Sequence, residues 1–105
     1  MIDKQLIYEI LSQIPRGRVT TYKEVARLAG TRGYQAVGQI ISANPNAPEV
    51  PCHRVVRSDG SLGGYAESAG GIPRKIELLT VEGVRVDAGK IADFERVRWH
   101  AGCEK

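Results

Sequence analysis

No run of apolar residues in this 105-residue chain approaches the roughly 20 that a membrane helix needs, and the opening stretch MIDKQLIYEI mixes charged residues among its apolar ones. A soluble, unprocessed protein is expected. Cysteine is scarce: Cys52 and Cys103 are too few for a disulfide framework and lack the clustered Cys and His spacing of a zinc site. No metal and no cofactor are expected, and a reducing, cytoplasmic setting fits. Internal repeats and low-complexity segments are missing too, and the length excludes two large domains. It suffices for one core, because a chain of this size buries roughly 60 to 70% of its unfolded surface without staples.

Charge of one sign is also in short supply, since a net charge of +3 is what plain solubility looks like. Its distribution says more. From Met1 to Arg57 there are eight Lys and Arg against four Asp and Glu, and from Ser58 to Lys105 seven against eight, so the basic excess lies in the first half.

Asp3 can cap a first helix reaching about Ile14, with Leu6, Ile7, Ile10, Leu11 and Ile14 on one stripe. Pro15-Arg16-Gly17 stops it, and Arg18-Val19-Thr20 reads as a short link. Thr21-Tyr22-Lys23-Glu24 has the pattern of a capping box, opening a second helix that ends at Gly30. Tyr34 to Ala43 reads as a third helix with Val37, Ile40 and Ile41 inward, closed by Asn44-Pro45. Two short helices joined through glycine in the basic half suggest either a helix-turn-helix or a plain helical hairpin that packs the core. Val55-Val56 reads as a short strand and Ser58 to Ser61 as a turn. Leu62 to Gly71, with its glycines around Tyr65, reads as a mobile surface loop bordering the site. Pro73 suits a helix start, with Ile76, Leu79 and Leu78 inward up to Glu82-Gly83. Val84 to Ile91 suggests a hairpin around Asp87-Ala88-Gly89, followed by a charged amphipathic tail to Trp99.

Chemistry concentrates in Pro51-Cys52-His53-Arg54-Val55. A cysteine beside histidine and arginine is biased toward thiolate, the nucleophilic form, and the preceding proline holds it in place. Cys is also among the commonest buried residues, so a purely structural Cys52 is an open alternative. Adjacent residues of an extended strand point to opposite faces, so Cys52 and His53 can cooperate only across a tight turn.

Val50-Pro51-Cys52-His53-Arg54-Val55-Val56 resembles the active-site signature of the O6-alkylguanine-DNA alkyltransferases. Thr21 to Ala26, Ala36-Val37-Gly38, Asn44-Pro45, Gly63-Gly64-Tyr65 and Leu78 to Gly83 follow in that family's order, so the likeness covers about Ile2 to Val84. The resemblance implies an α+β, mainly helical fold with a winged helix-turn-helix-like core. It divides the chain into a catalytic and DNA-binding domain, 1–84, and an extension, 85–105, packed on the same domain. The implied reaction moves an alkyl group from a flipped guanine to Cys52, once per molecule. In it His53 takes the thiol proton through a water, Glu82 holds the imidazole, and Asn44 organises the turn. Tyr22 turns the 3′ phosphate and protonates the leaving guanine. The carbonyls of Cys52 and Val55 read the base amine, and Gly63, Gly64 and Tyr65 border the base pocket. Taken singly, Tyr22 could be a packing residue, Glu82 a helix end and Asn44 a turn residue.

The implied partner is double-stranded DNA containing alkylated guanine, entered by the third helix through the minor groove by a monomer. Thr21, Tyr22, Arg32, Tyr34, Gln35, Ala36, Gly38 and Arg54 are the candidate DNA contacts, with Arg27 beside them, and a nucleoid-associated cytoplasmic location follows. Two departures stand out. Most relatives place an arginine finger before Ala-Val-Gly, where this chain has Gln35. Nothing here corresponds to the N-terminal domain of full-size alkyltransferases, a size shared with alkyltransferase-like lesion sensors, which lack the cysteine and flag lesions for excision-repair proteins. Retention of Cys52 favours transfer over sensing, and either over a sequence-reading regulator, which has no use for a Pro-Cys-His-Arg loop.

Overall fold

The computed structural model describes residues 3–43, 50–65 and 70–99. Asn44 and Cys103, both singled out in the sequence, lie outside the described residues. Helix α1 (Lys4–Ser12) is capped by Asp3, whose carboxylate accepts the backbone N–H groups of Gln5 and Leu6. It stops short of Ile14, which is nevertheless buried. Thr21 caps α2 (Tyr22–Leu28) by accepting the Glu24 N–H at 3.0 Å, while the Glu24 carboxylate pairs with Arg27 on the next turn. Gly30 then takes φ +76°, the left-handed conformation its missing Cβ permits, and the chain turns into α3 (Tyr34–Ser42).

These three helices pack on one another around Ile7, Leu11, Val25 and Val37, all fully buried. Truncating such a residue, Leu11 to Ala for example, costs on the order of 2–5 kcal/mol. Cys52, Val55, Tyr65 and Trp99 belong to the same cluster, so the reactive turn is anchored in the core. A second cluster gathers Val19, Val56, Leu62, Leu79, Val84 and Ile91 beneath α4 (Gly71–Val81).

The segment read as a link before α2 is a strand. β1 (Thr20–Thr21) runs parallel to β2 (Val55–Val56), Thr20 opposite Val55 and Thr21 opposite Val56. On its other side the tail brackets Val19, whose N–H donates to the Val97 carbonyl and whose carbonyl accepts the Trp99 N–H. Local sequence could not announce this, because each partner lies far along the chain. The expected hairpin is present as β3 (Val86–Asp87) antiparallel to β4 (Lys90–Ile91), followed by the short helix α5 (Phe94–Val97).

One further expectation needs correction. Leu62 and Tyr65 are buried, so the glycine-bearing segment begins as a packed wall and not as a mobile surface loop. On α4 Leu79 is fully buried as expected and Ile76 and Leu78 pack half-buried against the two clusters, while Gly71 and Lys75 join the buried stripe. No helix among the described residues is long and apolar enough to cross a membrane.

Candidate active site and nucleic-acid groove

Cys52 opens a 3-10 turn, Cys52–Arg54, between Pro51 and β2. The Cys52 N–H donates to the Val50 carbonyl, the Arg54 N–H to the Pro51 carbonyl and the Val55 N–H to the Cys52 carbonyl. With three residues per turn, successive side chains rotate by about 120° instead of alternating by 180°. The tight turn that Cys52 and His53 need in order to act together is therefore present. Both are buried, at 5% and 2% exposure.

Glu82, at the C-terminal end of α4, receives two partners. His53 Nε2 lies 2.9 Å from Oε2, and Arg54 grips both oxygens, Nε to Oε1 at 2.9 Å and a terminal nitrogen to Oε2 at 2.7 Å. The other terminal nitrogen of Arg54 donates to the Ile14 carbonyl. Burial would raise the Glu82 carboxyl, but the hydrogen bonds from Arg54 and His53 outweigh it and hold it down at about 2. A carboxylate ionised at every ordinary pH can only accept, so Nε2 carries the imidazole proton. Nδ1 is then the free lone pair, buried and without a hydrogen bond to any described residue. Burial lowers the His53 pKa more than Glu82 raises it, with the charges of Arg54 and Lys75 adding to the depression. The imidazole is neutral at neutral pH, the state a base requires.

Two tyrosines flank the sulfur. The Tyr65 hydroxyl lies beside Cys52, and burial first, then its interaction with Cys52, pushes its pKa up to about 12. Tyr22, first residue of α2, is likewise raised, by burial first and Cys52 second, against the opposing pull of Arg57 and the Gly64 backbone. Both phenols keep their protons. Gly63, at φ +72°, packs against Tyr22: a Cβ there would stand 3.1 Å from the ring and 3.2 Å from the hydroxyl oxygen.

Tyr22 also lines an open groove of about 690 Å³, between Gln35 and Gly38 of α3 on one side and Arg57, Gly63 and Gly64 on the other. A Cβ at Gly38 would meet nothing within 4 Å, so the space above it is open to a ligand. Tyr34, 46% exposed, joins this groove to a smaller basic one lined by Arg27 and Arg32.

The structure thus brings together Cys52, His53, Glu82, Tyr22, Tyr65, Gly63 and Gly64, and sets Gln35 and Gly38 along the adjoining groove, with half-buried Ala36 between them in sequence. Two expected DNA contacts are placed otherwise. Thr21 is 1% exposed and its hydroxyl is spent capping α2, and the Arg54 guanidinium is spent on Glu82 and Ile14. Lys75 escaped the sequence reading: it is fully buried, donates to the carbonyls of Val55, Leu62 and Gly64, and is lowered to about 8, chiefly by burial. Its place four residues before Leu79, on the inward stripe of α4, was the available signal.

Comparison with known proteins places this geometry. A protein from Pyrobaculum aerophilum named methylated-DNA–protein-cysteine methyltransferase is 51% identical over 82 residues, 78% of this chain and 51% of its own length. A DNA base-flipping protein from Escherichia coli is 35% identical over 97 residues, 91% of this chain and 73% of its own. Among solved structures, Schizosaccharomyces pombe Atl1 in complex with damaged DNA containing O6-carboxymethylguanine superposes with a TM-score of 0.78 at 31% identity, covering 91% of this chain and 93% of that one. The chain spans only about a third to a half of the methyltransferase relatives it matches. Residues 3–84 match the profile of the 6-O-methylguanine DNA methyltransferase DNA-binding domain, and the chain belongs to that family.

Proposed function

We propose that this protein repairs DNA by a single-turnover transfer of a methyl or other alkyl group from O6-alkylguanine to Cys52. The observation that carries the reading is the buried turn that sets Cys52 beside the Tyr65 hydroxyl and next to a neutral His53 held by Glu82. Nucleophile, base and orienting carboxylate are the parts of a hydrolase triad with sulfur in place of oxygen.

The base is flipped into the groove, where Tyr22, Arg32, Tyr34, Gln35, Ala36 and Gly38 meet the minor groove and its phosphates. The thiol proton leaves through a water to Nδ1 of His53. The thiolate attacks the alkyl carbon, an S–C bond forms, and the C–O6 bond breaks with its electron pair going to the purine. Tyr22 supplies the proton that neutralises the leaving guanine and recovers one from solvent, so the proton lost by sulfur is balanced by the proton gained by the base. A phenol whose pKa is raised by burial stays protonated until that moment. The carbonyls of Cys52 and Val55 each already accept one hydrogen bond, from the Val55 N–H and from Lys75, and each keeps a second lone pair for the base amine. Residues 1–84 form the transfer and DNA-binding unit and 85–105 an extension upon it, acting as a monomer on the DNA of the cytoplasm or nucleoid.

A second reading has its own support. Atl1 matches this chain over 93% of its length, and a lesion sensor would bind the flipped base and recruit excision-repair proteins without transfer. Mass spectrometry of the reduced protein after incubation with a duplex containing one O6-methylguanine separates the two. A methyl group on the Cys52 peptide, abolished in Cys52→Ser, is the expected result. Tight lesion binding with unmodified Cys52 would leave the sensor.

A further inference from the structure

Lys75 has no part in the steps above, yet its side chain is completely buried. Its ammonium reaches three backbone carbonyls in two separate segments: Val55 in β2 at 2.8 Å, Leu62 at 2.5 Å and Gly64 at 3.0 Å in the wall beyond it. An ammonium has three N–H donors, and here each has one acceptor. A lysine that served only to fill space would be replaced at lower cost by an apolar residue, since burying a charge is expensive unless it is fully bonded. The three carbonyls are not arbitrary. Val55 follows the reactive turn directly, and Gly63, which supports the Tyr22 ring, lies between Leu62 and Gly64. The Tyr22 ring centre is itself 5.9 Å from Nζ.

We propose that Lys75 is a positioning residue of the transfer site, tying Val55, Leu62 and Gly64 into one cradle that holds the base-facing wall in register with Cys52 and Tyr22. The inference rests on the transfer reading above. The ammonium fixes the direction in which the second lone pair of the Val55 carbonyl points, and it holds Gly63 against the tyrosine. The positive charge also lies within electrostatic reach of Cys52.

The cradle depends on the charged form. A neutral amine has two N–H donors and a lone pair, so one of the three carbonyls would face a lone pair and be released. The groups around Nζ are Tyr22 from α2, Cys52 and His53 from the reactive turn, and Arg57 after β2. Burial, aided by Arg57 and opposed by a thiolate at Cys52, brings the Lys75 pKa down to about 8. Both tyrosines are raised and stay protonated there, so among these groups the lysine is the one whose deprotonation would loosen the wall.

The test uses the full chain and a duplex carrying one O6-methylguanine, read as the single-turnover rate of Cys52 methylation at saturating DNA. Lys75→Met, similar in length but without donors, is expected to melt below wild type, because three carbonyls lose their donor, and, assayed well below its melting temperature, to bind the lesion duplex within about threefold while methylating Cys52 about 10- to 100-fold more slowly. In the unaltered protein the rate is expected to fall above a pH of about 8, as the ammonium loses its proton. This second measurement decides the matter if Lys75→Met does not fold. A Lys75→Met protein that transfers at the wild-type rate, or a wild-type rate that is flat or rising to a pH of about 9.5, overturns the role of Lys75 and leaves the transfer reading intact. Failure of the wild-type protein to methylate Cys52 overturns both.

Discussion

His53 Nε2 and Glu82 Oε2 stand 2.9 Å apart, and this one contact decides which imidazole nitrogen can act as a base. Because the carboxylate can only accept, the proton sits on Nε2 and the lone pair on Nδ1. Arg54 grips the same carboxylate from two nitrogens, so the imidazole is oriented by a group that is itself held.

Replacing Glu82 by Gln keeps the shape and removes the charge. The amide would present an N–H group to one of two donors, and the tautomer of His53 would no longer be imposed. Methyl transfer to Cys52 is expected to slow by about 100-fold, the usual scale for a disabled general base. Lesion-duplex binding should stay near wild type, because the Glu82 side chain is 6% exposed and its carboxylate is held by Arg54 and His53. Quenched single-turnover kinetics beside an anisotropy titration would check both halves.

Acid should unfold the protein through the same carboxylate. The Glu82 pKa is depressed to about 2 from 4.5, so its stabilisation is fully present above pH 4.5 and lost as the pH falls through 2. The size is on the order of 3 kcal/mol. His53, lowered from 6.5 by burial, acts in the same direction: the unfolded chain gains a proton below 6.5 that the folded imidazole resists. Urea midpoints at about pH 7, 5 and 3 should therefore decline twice, gently and then steeply. The steep part should be absent in Glu82→Gln.

Gly63→Ala should damage both fold and reaction. The left-handed φ of +72° costs a side chain about 1–2 kcal/mol, and the new Cβ would press on the Tyr22 ring at 3.1 Å. A lower melting temperature and slower transfer are expected together. Gly64→Ala is the control for stability, since a Cβ there meets nothing within 4 Å and its stability should lie within about 0.5 kcal/mol of wild type.

What the sequence revealed was local. Asp3 and Thr21 mark their helix starts by a side-chain oxygen placed to accept N–H groups a few residues on, and Gly30 marks an end by its missing Cβ. The reactive turn was legible because its chemistry is written in adjacent residues. The parallel pairing of Thr20 with Val55 and the bracketing of Val19 by Val97 and Trp99 were not, because neither partner carries any mark of the other. The resemblance makes Arg54 and Thr21 candidate DNA contacts, and only the position of Glu82 and the start of α2 reveal that both side chains are already spent. Lys75 was passed over for a related reason, since a lysine on a helix is usually solvated and here three carbonyls from elsewhere make its burial possible.

Gln35 gives the sharpest test of how α3 meets DNA. It stands exposed in the first turn of α3, along the groove that Gly38 leaves open, and it is neutral where the resemblance leads one to expect an arginine. Each cation brought to the duplex releases counterions, which steepens the fall of log affinity with log salt by about 0.9. Gln35→Arg should therefore bind a lesion duplex more tightly at low salt, with a slope steeper by about that amount, and converge on wild type as salt rises. Anisotropy titrations across a salt series would read the slope directly. An unchanged slope would remove the first turn of α3 from the interface and shift the contact to Arg27 and Arg32 at the smaller groove.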